Sequence, residues 1–184
     1  MHFTLCDFLS DIVQNAIEAE ATLIIVDLIE TEEKYKFLVA DNGKGMDPET
    51  LSKVQSPFFT DGKKHTRAQG LGLSFLAQAV EQGCGTWDIR SEKNFGTSIA
   101  FTFDKSHVDT PPLGDVPQTL LQLTIFDGKH EFVVNRSRND KKYTVIRNDL
   151  KKTLGDLSCA GNLMLAKKYI SSLEQDIINP RSWI

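Results

Sequence analysis

The sequence predicts an α+β protein: a two-layer sandwich with helices on one face of a sheet, followed by a small α+β unit. Three observations point to it. Apolar residues first recur at helical spacing, then gather into two strand-like runs, then return to helical spacing before two more strand-like runs. A proline- and glycine-bearing stretch follows, and beyond it a second, shorter set of strands and helices.

In order, residues 3–20 carry Leu5, Phe8, Leu9, Ile12, Val13 and Ala16 at helical spacing, while Asp7, Asp11, Asn15 and Glu18 share a second face. Residues 23–29 and 35–40 are rich in β-branched and aromatic side chains and predict strands, with the acidic Glu30–Glu33 as the hairpin turn. Asp47-Pro48-Glu49 predicts a helix start with proline at its first position. Residues 56–69 lack periodicity and predict a loop; residues 71–82 predict a helix ended by Gly83. Residues 86–91 and 97–103 predict two strands joined by a turn. Three of the six prolines fall in residues 104–117, so 105–117 is expected to be a linker between residues 1–104 and a unit of 118–184. That unit offers an apolar stretch (120–126), strand candidates at 131–135 and 143–147, a helix capped by Asn148, and a longer helix over 160–178.

A chain of 184 residues suffices for one domain with a full core, or one domain plus an appendage. The net charge of −4 argues against nonspecific binding to nucleic acid. The apolar run Leu23–Val26 is broken by Asp27, and no membrane span or signal peptide is expected, which points to a cytoplasmic protein. Cys6, Cys84 and Cys159 lack paired spacing and are expected to be buried, reduced thiols.

Four short motifs follow one another along the first half: Asp11-Ile12-Val13-Gln14-Asn15-Ala16, Asp41-Asn42-Gly43-Lys44-Gly45-Met46-Asp47, Gly70-Leu71-Gly72-Leu73, and Phe95-Gly96-Thr97. Each alone is weak; as an ordered set they describe a pocket for ATP. Asp41 ends a strand, and a carboxylate there accepts from adenine's amino group and repels guanine's carbonyl. Gly43 and Gly45 allow a tight turn and close approach to the base, and Met46 offers an adaptable apolar wall. Gly70 and Gly72 open a helix, where free N–H groups and the helix dipole favour phosphate. Asp11 lies one turn before Asn15, where a carboxylate can take a proton from an attacking water or hydroxyl.

Residues 3–104 resemble the GHKL superfamily: gyrase, heat-shock chaperones, histidine kinases and MutL-type ATPases. The resemblance implies a Bergerat-type sandwich with a mixed sheet. It makes Asn15 a Mg²⁺ ligand, an amide oxygen supplementing the phosphates and waters around the ion. It makes residues 56–69 an ATP lid in which Lys63, Lys64 or Arg67 reaches the γ-phosphate and Phe58 and Phe59 pack the lid onto the domain. Leu71 and Leu73 accompany the phosphate glycines, and Thr97 helps hold adenine. ATP and Mg²⁺ are thus the expected ligands. A phosphoaccepting helical hairpin is expected to be missing, so autophosphorylation on histidine is not anticipated. The expected function is ATP hydrolysis or phosphorylation of a partner protein. The alternative is a non-catalytic switch that binds a partner when ATP orders the lid.

Overall fold

The computed structural model describes residues 4–55, 71–126 and 128–179. The expected lid, with Phe58, Phe59, Lys63, Lys64, Arg67 and Gly70, lies outside the described residues. Six strands form one mixed sheet in the order β3-β4-β2-β1-β5-β6. They are β1 (Leu23–Glu30), β2 (Lys34–Asp41), β3 (Thr86–Glu92), β4 (Gly96–Asp104), β5 (Glu131–Arg138) and β6 (Lys141–Ile146). Every neighbouring pair is antiparallel except β1 with β5. The helices are α1 (Leu5–Glu18), α2 (Pro48–Gln55), α3 (Leu71–Gln82), α4 (Val116–Ile125), α5 (Arg147–Leu154) and α6 (Ala160–Ile178).

Alternation explains the layering. In β1, Ile24, Val26 and Leu28 are buried while their neighbours are half-buried or exposed, so one sheet face carries the core. Phe37 of β2 stacks on Phe101 of β4 at 4.6 Å, and Phe103 meets Phe101 edge-on. Against this face lies the apolar side of α1, with Leu5, Phe8, Leu9, Ile12 and Val13 buried. Helix α1 starts at a capping box: Thr4 Oγ1 accepts from Asp7 N, and Asp7 Oδ2 accepts from Thr4 N. The next two N–H groups, of Leu5 and Cys6, donate to the carbonyls of Pro112 and Leu113 at 2.9 and 3.0 Å.

The stretch expected as a linker therefore carries contacts that begin α1. Residues beyond it extend the same sheet, because β5 pairs with β1 from Leu23↔Glu131 to Glu30↔Arg138. The apolar stretch expected at 120–126 is part of α4, which Asp115 caps by accepting from Gln118 N. Two local expectations are corrected. Asn148 does not cap α5; it lies inside the helix, and its N–H donates to Glu131 Oε1 across the sheet. Of the three thiols only Cys6 is buried, where desolvation pushes its pKa up to about 11, while Cys84 and Cys159 are exposed.

A buried charge network fastens α6 to the sheet. Arg136 of β5, with a fully buried side chain, donates to Glu30 Oε2 at 2.6 Å and to Glu174 Oε1 at 2.9 Å. Tyr143 donates to Glu174 Oε2, and Lys105 donates to Glu30 Oε1. Burial pushes the Glu30 carboxyl up, but the bonds from Arg136 and Lys105 outweigh it and hold it below the usual glutamate value. Removing Arg136 takes the fully buried cation from both carboxylates and leaves Glu174 only the bond from Tyr143 and Glu30 the partly exposed Lys105 and Arg138. Arg136→Leu should cost about 3–5 kcal/mol of unfolding free energy, read from urea denaturation. A loss below about 1 kcal/mol would show that the network is not holding α6.

Candidate functional site

The site forms where β2 ends and the chain turns toward α2. Asn42 anchors that turn, its Oδ1 accepting from the N–H groups of Thr22 and Leu23 at 2.9 and 2.8 Å. Lys44 N then donates to Ala19 O at the end of α1, and Asn94 N donates back to Lys44 O. Met46 N donates to Ser91 Oγ at 2.8 Å, and the same hydroxyl lies 2.9 Å from Thr97 Oγ1. The loop is held on one side by α1 and on the other by the β3–β4 hairpin.

This packing sets the glycines. A Cβ on Gly45, where φ is +57°, would come within 2.0 Å of Glu92 O. One on Gly43 would lie 2.6 Å from Ala19 O. The close approaches expected here toward a ligand are thus made to protein backbone. Midway along α1 the same test puts a Gly72 Cβ 2.7 Å from Asp11 Oδ2, so the carboxylate lies against the first turn of α3.

The second half of α1, from Ile12 to the C-cap Ala19, lines a cavity of about 260 Å³. Asn15, Asp41, Gly45, Met46, Leu73 and Thr97 line it together. Asp11, Gly43 and Gly72 are not among its lining residues, Leu71 is the first residue of α3, and Lys63, Lys64, Arg67 and Gly70 fall outside the described residues. The walls are largely apolar, with Ile12, Ala16, Val39, Ile89 and Ile99 among them. Asp41 is one of the polar residues in this lining. Its Oδ1 accepts from Gly43 N at 2.8 Å, and it pairs in register with Thr97. Burial pushes its carboxyl above the usual aspartate range despite the Gly43 and Thr97 N–H groups, which favour the charge.

Sequence reasoning missed several of these positions. Ser91, which joins the loop to Thr97, belongs to no motif, and its role follows from the β3–β4 pairing. Glu18, Ala19 and Lys44 line the cavity as well. For Glu18 the helical face it shares with Asn15 is the one indication, and it does not separate a lining residue from a solvated one, while Lys44 stands inside the second motif with no role read from it.

The donor set fits a purine nucleotide with its metal. A desolvated carboxylate in an apolar recess suits an amino donor, and the Asn15 carboxamide supplies a hard oxygen of the kind Mg²⁺ takes.

Residues 3–107 match the family described as histidine kinase-, DNA gyrase B-, and HSP90-like ATPase. The sensor histidine kinase YvrG of Bacillus subtilis is 35% identical over 101 residues, covering 53% of this chain and 17% of that protein. The heme sensor protein HssS of Staphylococcus saprophyticus is 32% identical over 97 residues, covering 52% of this chain and 21% of that protein. The chain thus spans about a fifth or less of the length of these curated relatives. Among solved structures, the N-terminal domain of a DNA repair protein superposes with a TM-score of 0.52 at 16% identity, covering 87% of this chain and 58% of that one. At that identity the likeness is one of fold. Among the described residues no helix is long and apolar enough to cross a membrane.

The raised Asp41 carboxyl has a consequence in the absence of ligand. Its charge opposes folding above its folded pKa, and that opposition fades as pH falls and both states are protonated. Asp41→Asn should therefore raise the thermal midpoint at pH 7, and the gap from wild type should close below about pH 4. A variant less stable at pH 7 would show that the ionised carboxylate is a structural asset.

Proposed function

Because the chain belongs, through residues 3–107, to the histidine kinase-, DNA gyrase B- and HSP90-like ATPase family, we propose that it binds ATP with Mg²⁺ and transfers the γ-phosphoryl group to water or to a partner protein. The observation that carries this reading is the half-buried Asp41 carboxylate, set among apolar side chains in the lining of the cavity. It keeps acceptor capacity beyond the bond from Gly43 N, and adenine's amino group is a matching donor. Met46, Ile89 and Ile99 supply apolar area for the ring, and Thr97 stands beside Asp41.

Helix α1 then gives the direction of the nucleotide. Ala19, at its end, meets the loop that follows Asp41; Asp11, two turns back, meets Gly72 at the start of α3. The base belongs at the first end and the phosphates at the second, where helix N–H groups and the dipole favour anions. Gly70, Leu71 and Gly72 form the phosphate cradle in this reading, and Lys63, Lys64 and Arg67 bring positive charge to the γ-phosphate. Asn15 and the phosphates would hold Mg²⁺, which would supply positive charge to the transferring phosphoryl group. Asp11 serves as the base. As the bond from the γ-phosphorus to the ADP oxygen breaks and a new phosphorus–oxygen bond forms, Asp11 takes the proton of the incoming water or hydroxyl.

Two variants on one helical face separate these roles. Asn15→Ala should weaken Mg-dependent ATP binding and turnover together. Asp11→Asn should keep binding and lower turnover by about 10²–10⁴-fold, measured as phosphate release and as label transfer to protein. An Asp11→Asn protein that turns ATP over at the wild-type rate removes Asp11 from the role of base. Tight Mg-ATP binding by a wild type that never turns over would mark the protein as an ATP-dependent switch.

A further inference from the structure

Glu18 lies in the last turn of α1, and that turn contains no basic residue. A carboxylate there faces the negative end of the helix dipole, which disfavours it. It nevertheless lines the same cavity as Asp41 and Asn15, with Gln14 Nε2 donating to its Oε1 at 3.0 Å. Lys44 lines the cavity too, brought beside this turn by the bond from its N–H to Ala19 O.

The order of groups along α1 gives Glu18 a place. Asn15 precedes it by about 4.5 Å of helix rise and Asp11 by about 10 Å, at 1.5 Å per residue. The middle of α1, at Asp11, abuts α3, and its end, at Ala19, abuts the loop that follows Asp41. A nucleotide with its base on Asp41 and its phosphates toward Asp11 passes its sugar by the intervening turn, which carries Glu18. Ribose presents two hydroxyl donors, and an ionised carboxylate is acceptor-only with several lone pairs, so it can serve Gln14 and a hydroxyl at once.

We propose that Glu18 reads the ribose of the bound nucleotide, accepting from its hydroxyls and so selecting ribonucleotides over deoxyribonucleotides. This rests on the reading of the cavity as an adenine-nucleotide site. Glu18 is then a specificity residue, and its position against the helix dipole is explained by the ligand.

The test is competitive binding of ATP and 2′,3′-dideoxy-ATP to the full chain, wild type and Glu18→Ala, with Mg²⁺ present. The ratio of the two affinities cancels any change in phosphate repulsion that the lost charge brings. Wild type should prefer ATP by about ten-fold, as for hydrogen bonds to a charged group, and Glu18→Ala should bring the ratio close to one. Glu18→Gln, with a neutral acceptor, should fall between them. Removing a charge opposed to the dipole should leave the fold at least as stable, which circular dichroism melting checks. Equal wild-type affinity for the two nucleotides overturns the proposal, as does a preference that survives in Glu18→Ala. If the folded wild type binds neither nucleotide, the adenine-site reading itself fails.

Discussion

The turn after β2 is the constraint on which the site depends. Residues 42–46 are tied to the start of β1 by Asn42, to the end of α1 by Lys44 N, and to the β3–β4 hairpin by Asn94 and Ser91. Three elements distant in sequence are thereby fixed around one carboxylate. The glycines serve this constraint first, because Gly45 and Gly96 leave room for backbone where a Cβ would come within about 2 Å of a carbonyl oxygen. Gly96, at φ +111°, makes that approach to the carbonyl of Asp41 itself. Replacing either would shift the backbone that holds Asp41 in place.

The same arrangement explains how a strained electrostatic choice persists. Asp41 is pushed toward its neutral form by burial, and Glu18 sits against a helix dipole. Neither is large beside the core formed by the sheet and α1, so the fold tolerates both. The Arg136 network is a different matter. It is fully paired within the protein and lies on the C-terminal side of the sheet, where it fixes α6. Its role is structural.

Much of the sandwich was legible because local pattern and global fold agree. The strands of the first half alternate, α1 has its cap and amphipathic face, and α6 spans residues 160–178 as its periodicity required. The partnering of β5 with β1 was not legible: a parallel pairing between residues a hundred positions apart leaves no mark on either strand. Arg136 shows the limit well. In sequence it makes 131–138 look like a strand that ends early, whereas buried partners on β1 and α6 carry it through the core. In the site, the motif residues Asp41, Asn15 and Thr97 converge as the motifs suggested, but Ser91 and Glu18 gain their positions only from the fold.

The central claim is that adenine binds in the cavity floored by Asp41. It is tested most directly by mapping backbone amide resonances of the full chain during titration with a Mg-bound, non-hydrolysable ATP analogue and with its guanine counterpart. The account predicts saturable shifts from the adenine compound centred on Asp41, Gly43, Ser91 and Thr97, with the guanine compound leaving these amides in place at the same concentration. Equal shifts from both compounds, or adenine-induced shifts confined to the face carried by α5 and α6, would contradict it.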